Sequence, residues 1–243
     1  MSAQAEVRGR RPLGGVIFDV DGVIVDSPHE RAWRETLAGF ADPARLTSRL
    51  YQAHVAGKPR LAGARAVLEE LGVPDAARLA PLYAERKQRR VEQLIEAGSF
   101  TAFPDALRFI RALRARGLRL ALASSSKNAA RMMRRVRLDA GESLPALFDA
   151  DLSGRDVPHG KPAPDLFLLA AAELGLPPER CLVVEDAPAG IAAAKAGRMS
   201  ALGIARHADA ALLRDAGADL VVTSLDDVPV DALAAGRLGV QPA

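Results

Sequence analysis

Short apolar runs that stop at polar clusters recur along the chain, and the period of each run sets the element it forms. Val16-Ile17-Phe18 is brief, branched and flanked by glycine on one side and carboxylates on the other. Such a run predicts a buried strand. After Asp26 the period changes. Ser27-Pro28 precedes His29-Glu30-Arg31-Ala32-Trp33, which predicts a helix with Ser27 as N-cap and Pro28 at the first helical position. The spacing stays helical to about Gly98. Ala64, Val67, Leu68 and Leu71 repeat before Gly72, and a further segment runs from Leu79 through Arg86-Lys87 to Val91, Leu94 and Ile95. No strand pattern interrupts residues 28–98.

From Pro104 helix and strand periods alternate. Leu107, Ile110 and Leu113 form one helical face that ends at Gly117, and Leu118–Ala123 reads as a strand. A short apolar stretch lies near Leu147-Phe148. A helix is expected from Pro164 to Leu174, a strand at Cys181–Val184 and a helix from about Ala189 to Ala196. Ala201–Ile204, a helix around Asp209 to Asp215, and Leu220–Val222 complete the series. Strands alternating with helices predict an α/β fold with a parallel sheet and right-handed crossovers. The all-helical stretch is then an insertion after the first strand. The expected division is a core of residues 1–27 and 99–243 and a helical cap of residues 28–98. An insertion beginning just past a strand's carboxyl end is placed to act as a lid.

Composition narrows the class. The chain has 243 residues, 49% hydrophobic and 26% charged, with a formal net charge of +3. Aromatic residues are only 4% and no basic stripe carries interleaved aromatics, so nucleic-acid binding is not indicated. No apolar run approaches the length of a membrane span. Arg8-Gly9-Arg10-Arg11 faintly resembles a twin-arginine signal, but Asp19 and Asp21 break the following apolar run, so residues 1 to about 11 are expected to be a loose tail. One cysteine, Cys181, leaves no internal disulfide and fits a reducing compartment, so a cytoplasmic location is expected, with a monomer as the default. Arginine supplies nearly all cations, and the lysines are Lys58, Lys87, Lys127, Lys161 and Lys195. A lysine retained in such a chain hints at a need for a compact point charge.

Four polar clusters fall at predicted strand ends. Asp19 and Asp21 are two apart, so in an extended chain they project together, at the carboxyl edge where open α/β sheets bind ligands. Carboxylates so close repel unless a cation or proton lies between them. Mg²⁺-assisted phosphoryl transfer wants such a pair, one to attack phosphorus and one to handle the proton; an acidic helix cap is the plainer alternative. Ser124-Ser125-Ser126-Lys127-Asn128 offers hydroxyls and backbone N–H groups to an anion, or a serine-rich cap. Lys161 precedes a helix, where the dipole disfavours a cation, so an external anion would explain it; a solvated surface lysine is the alternative. Glu185-Asp186 suits a hard cation, or caps a helix. A parallel sheet brings all four to one edge. No P-loop is present, so a nucleotide is not implied.

The order Asp19-x-Asp21-Gly22-Val23, Ser124, Lys161, Glu185-Asp186 resembles the haloacid dehalogenase superfamily over nearly the whole chain. Its β-phosphoglucomutase-like branch is matched by the stretch from Asp19 to Ser27, His29-Glu30-Arg31-Ala32-Trp33, Ser124 to Asn128, and Lys161-Pro162-Ala163-Pro164-Asp165. The resemblance implies a Rossmann-like core with a helical cap and an Mg²⁺ cofactor. It implies Asp19 as the nucleophile that forms an aspartyl-phosphate. Asp21 becomes the general acid/base, its backbone carbonyl also meeting the metal. Ser124 and Lys161 would hold phosphoryl oxygens, and Asp186 would ligate Mg²⁺ with Glu185 beside it. Arg60 and Lys87 match cap residues that reach the substrate. Ser125, Lys127 and Asn128 lie where the branch contacts substrate, Lys127 and Asn128 at a second phosphate, and His29 matches a histidine that restrains Asp21. Two departures stand out: the segment between Asp26 and His29 is about two residues short, and Asp105 replaces a customary glycine.

The expected function is Mg²⁺-dependent hydrolysis of a small sugar or polyol phosphate. The alternative is a β-phosphoglucomutase-type isomerase that keeps water out during its half-reaction. A dehalogenase has no use for Asp21, and a phosphonatase would need a lysine that is missing between Asp26 and Tyr51. A non-catalytic module for a small phosphorylated metabolite is the reading least consistent with the intact acidic and basic residues.

Overall fold

The computed structural model describes residues 12–138, 142–207 and 209–239; the expected loose tail at 1–11 lies outside them. In chain order the elements are β1 (Gly15–Phe18), β2 (Val25–Asp26), α1 (His29–Thr36), α2 (Ser48–His54), α3 (Arg60–Glu70), α4 (Ala76–Glu96) and β3 (Thr101–Ala102). They continue with α5 (Pro104–Ala115), β4 (Arg119–Leu122), α6 (Ala129–Arg135), β5 (Ala150–Asp151), α7 (Asp165–Glu173) and β6 (Cys181–Glu185). The chain then adds α8 (Pro188–Ala196), β7 (Ser200–Ile204), α9 (Ala210–Asp215), β8 (Leu220–Val222) and α10 (Val230–Ala234).

β1 lies inside a parallel sheet of order β5-β4-β1-β6-β7-β8. Its side chains alternate between two apolar layers. Val16 and Phe18 enter one cluster, and Ile17 enters the cluster on the opposite face. That alternation is why a run without polar residues makes a strand here: both faces are covered by helices. Phe18 is in register with Leu122 of β4 and Val184 of β6. The residues that follow each of these therefore emerge side by side. The chain leaves β1 towards β4 on one side and returns to β6 on the other, which opens a crevice at the carboxyl end of β1.

The helices α1 to α4 sit between β2 and β3, which pair antiparallel. They hold an apolar cluster of their own, including Trp33, Leu37, Val67, Leu68 and Tyr83. The rings of Trp33 and Tyr83 meet edge to face at 5.0 Å, and the Tyr83 hydroxyl donates to Trp33 O at 2.8 Å. Among the described residues no helix is long and apolar enough to cross a membrane.

Two local expectations are corrected. α1 starts at His29 with Pro28 at its N-cap and no side-chain cap; the Ser27 hydroxyl instead faces the Asp21 carboxylate and lowers its pKa. β2 and β3 lie on either side of residues 28–98, and no strand falls among them, as expected. The apolar stretch near Leu147-Phe148 is a 3₁₀ turn, Leu144–Leu147, leading into the edge strand β5.

Asp105, the residue in place of a glycine, locks the root of the β2–β3 connection. Arg206 donates to both its oxygens, at 2.8 and 3.1 Å, and Leu225 N donates at 2.9 Å. Arg206 also donates to Val23 O at 3.3 Å and lies 4.0 Å over the Phe103 ring. Burial alone would raise the Asp105 carboxyl, but Arg206 and the Leu225 and Ala106 amides outweigh it and hold it below the usual range. Its stabilisation is therefore present above the unfolded carboxyl pKa and lost as pH falls through the lower folded value. Asp105→Ala should lower the urea unfolding free energy by about 3–5 kcal/mol, the scale for breaking a largely buried pair. It should also flatten the acid limb of the stability profile, and an unchanged limb would remove the pair from that role.

Candidate active site

Asp19 leaves the end of β1 with its amide bonded to Val184 O at 3.0 Å. Its Oδ1 accepts from Lys161 Nζ at 2.6 Å, and the same ammonium donates to Glu185 Oε1 at 2.6 Å and to Ala123 O at 3.3 Å. All three lysine protons are thus engaged, and the Lys161 side chain has no exposed surface. The anions that explain a lysine before a helix are these internal carboxylates. Neither the solvated reading nor one resting solely on an external ligand accounts for it. Glu185 is sealed as well, its Oε2 accepting from Ala187 N at 2.9 Å. Of this acidic pair it is Glu185, not Asp186, that meets the amide of Ala187 just before α8.

Asp21 sits across from Asp19. Its Oδ2 accepts from Ser124 Oγ at 3.3 Å. Its Oδ1 lies 3.3 Å from His29 Nε2 but forms no hydrogen bond, leaving a buried orphan oxygen. Lys87 Nζ is 2.5 Å from His29 Nδ1. With the ammonium donating there, the neutral ring carries its hydrogen on Nε2, 3.2 Å from Ser126 Oγ. Burial, then Lys87 and Arg60, push the His29 pKa well down, so the ring stays neutral. Burial also pulls Lys87 down to about 7, against the pull of Asp21 and with the push of Arg60.

Asp186 completes the acidic set. Two glycines make room for it and for Glu185: a Cβ on Gly22, whose φ is +79°, would lie 2.0 Å from Asp186 Oδ2, and one on Gly190 would lie 1.8 Å from Glu185 Oε1. Burial, reinforced by mutual repulsion, raises the carboxyls of Asp19, Glu185 and Asp186, and burial raises Asp21. Three buried carboxylates and the partly buried Asp21 thus crowd round the fully shared Lys161 ammonium, and Asp21 keeps an unmatched oxygen. This is a site short of positive charge, and oxygen donors suit a hard divalent cation. Among the described residues no three acidic or histidine side chains close on one point as a ready cage. Mg²⁺ asks for less, since it keeps several waters and substrate oxygens and needs one or two carboxylates. The residues present fit it.

A cavity of about 820 Å³ opens above, between the sheet edge and the helices. Asp19, Asp21 and Asp186 form its floor, Ser124, Ser125, Lys127 and Asn128 one wall, and His29, Arg60 and Lys87 the roof. Lys161 and Glu185 lie beneath the floor. All the anticipated side chains are therefore gathered, with different tasks from those foreseen for some. Ser125 Oγ donates to Gly57 O of the helical segment at 3.3 Å. Lys127 is out at the rim, paired with the exposed Asp156 at 2.9 Å. Several neighbours were missed from sequence. Gln88 accepts from Arg60 and donates to Asn128 Oδ1 at 3.3 Å, bridging roof and wall. Ser126 touches His29, and Tyr51 and Gln52 of α2 also line the cavity. Adjacency to Lys87 and membership of the serine run were the only signals for Gln88 and Ser126. Tyr51 and Gln52 gave none.

Residues 13–198 match the family described as haloacid dehalogenase-like hydrolase. The chain is 34% identical to a β-phosphoglucomutase of Mycobacterium bovis, over 92% of this chain and 96% of that one. It is 32% identical to hexitol phosphatase A of Escherichia coli, over 89% and 93% of the two chains. The crystal structure of an archaeal β-phosphoglucomutase from Pyrococcus sp. strain ST 04 superposes with a TM-score of 0.71 at 35% identity, covering 90% of this chain and 96% of that one. A parallel sheet with its acidic edge under a helical insertion, and matches of this extent, lead to one conclusion: the chain is an enzyme of the haloacid dehalogenase-like hydrolase family, in its β-phosphoglucomutase-like branch.

Proposed function

We propose that this enzyme hydrolyses a small sugar or polyol phosphate through an aspartyl-phosphate on Asp19, with Mg²⁺ as cofactor. The observation that carries the reading is the pairing of Asp19 with the buried Lys161, beside Asp21, on the floor of a cavity roofed by cations. Residues 28–98 serve as the cap, and residues 1–27 and 99–243 as the core. The phosphatases and mutases among the relatives support the substrate class.

In the first step an Asp19 oxygen attacks phosphorus, the ester P–O bond breaks, and Asp21 gives its proton to the departing alkoxide. Burial, which raises the Asp21 carboxyl, favours the protonated form needed for that donation. In the second step Asp21 takes a proton from water, which attacks phosphorus and frees the Asp19 carboxylate. Lys161 and the Ser124 hydroxyl stabilise the charge on the phosphoryl oxygens. Asp19, Asp186 and the Asp21 carbonyl would hold Mg²⁺, which when bound neutralises phosphoryl charge and orients the group for in-line attack. Glu185 acts by anchoring Lys161.

The mutase reading has one observation in its favour, the Arg60–Gln88–Asn128 bridge, which gathers groups suited to a distal phosphate. The exposed pairing of Lys127 with Asp156 weakens that grip and favours hydrolysis.

Asp19→Asn should reduce Mg²⁺-dependent turnover of p-nitrophenyl phosphate to background, and Asp21→Asn should cost about 10²–10⁴-fold in kcat, the usual range for a lost acid/base group. Activity surviving in Asp19→Asn would remove it as nucleophile. When sugar phosphates are assayed for both products, free phosphate should form faster than an isomer; the reverse order selects the mutase. A third expectation concerns Lys87, charged below about pH 7 and neutral above it. Sulfate, whose own charge is constant, should bind progressively more weakly from pH 6 to 8. Lys87→Met should flatten that dependence in calorimetric titrations.

A further inference from the structure

The helical segment buries one polar side chain that nothing in the protein satisfies. Gln52 of α2 is only 3% exposed, and its Oε1 is fully buried without a hydrogen-bond partner. Its amide nitrogen has no bond either among the described residues. Lys87, the other largely buried polar side chain of α1 to α4, has His29. The cluster that packs α1 to α4 is otherwise apolar. A buried carboxamide without partners is costly, since its oxygen has given up water and met no donor in exchange. It persists where a function retains it.

Gln52 lines the same cavity as Asp19 and Asp21. A carboxamide carries one acceptor and a pair of donors in a plane. Phosphate oxygens are acceptors and leave Oε1 unmatched, so the phosphoryl group does not answer this residue. An aryl group offers it nothing. A hydroxyl both donates and accepts, and two adjacent hydroxyls can meet both ends of the amide at once. The cavity, at about 820 Å³, has room for a hexose- or hexitol-sized phosphate.

We propose that Gln52 is a specificity-determining residue that binds adjacent hydroxyl groups of the substrate, selecting polyhydroxylated phosphate esters over aryl and deoxygenated ones. The proposal rests on the sugar-phosphate reading above and adds the group that enforces it. A site built to hydrogen-bond a hydroxyl discriminates strongly, because its polar atoms are stranded when the hydroxyl is missing.

The test compares wild type, Gln52→Met and Gln52→Leu on sorbitol 6-phosphate, fructose 1-phosphate and p-nitrophenyl phosphate, with thermal unfolding of each. In wild type, kcat/KM should favour at least one polyol or sugar phosphate. In both variants that preference should fall about tenfold or more through KM, while aryl phosphate turnover is retained. The melting temperature should hold or rise, because an orphaned amide has been removed. Variants that keep the wild-type preference overturn the proposal. So do variants that melt lower with an unchanged preference, the pattern of an amide satisfied by structural water. A wild type that shows no preference for polyhydroxylated substrates overturns the sugar-phosphate reading itself, a result distinct from the loss of Gln52 alone.

Discussion

The ammonium of Lys161 is the charge around which the acidic edge is assembled. Placing Asp19, Glu185 and Asp186 in one buried corner beside the partly buried Asp21 is unfavourable, because the carboxylates lose water and repel one another. Lys161 offsets part of this by bridging Asp19 and Glu185 from below, with Ala123 O taking its third proton. A compact ammonium with three divergent donors fits a three-acceptor nest that a planar guanidinium would not. What remains is a net excess of negative charge on the cavity side. That excess makes the edge receptive to a divalent cation, and through it to a phosphoryl group.

The fold serves this corner in two ways. Parallel strands in register deliver Asp19, Ser124 and Glu185-Asp186 to the same height, so no side chain has to reach far. Glycine at positions 22 and 190 then lets backbone pass within contact distance of the carboxylates. Above the edge, the helices contribute a second layer of control. His29, held neutral by its burial beside Lys87, lies with Nε2 3.3 Å from the unbonded Asp21 oxygen. The buried Lys87 has its pKa lowered to about 7 by desolvation, so the charge of the roof varies with pH. The clamp of Arg206 on Asp105 fixes the root of the β2–β3 connection from which the helical segment departs.

Much of the site was legible before any coordinates. A carboxylate pair after a short apolar run, a serine cluster, an isolated lysine and a second acidic pair all follow strands, and strand ends are local properties of the chain. What was misread shares a single cause. Lys161 read as facing outward because its internal partners, Asp19 and Glu185, are 142 and 24 residues away. Ser27 read as a helix cap because the competing acceptor, Asp21, is not visible in the local pattern. Gln52 read as nothing, since a glutamine in a helix is ordinarily a solvated residue.

The sequence by itself determined which stretches are strands, which are helices, and that an all-helical piece interrupts an alternating core; these follow from periods of 2 and 3.6 that neighbouring residues set. It also determined the kinds of chemistry available, because carboxylates, hydroxyls and scarce lysines announce themselves by type. Only the tertiary structure decided which partner each charge takes, which polar group is left without one, and how helices enclose a cavity over the sheet edge. Those outcomes depend on distances between residues remote in the chain, and on the loss of water that packing imposes, and neither is written in local order.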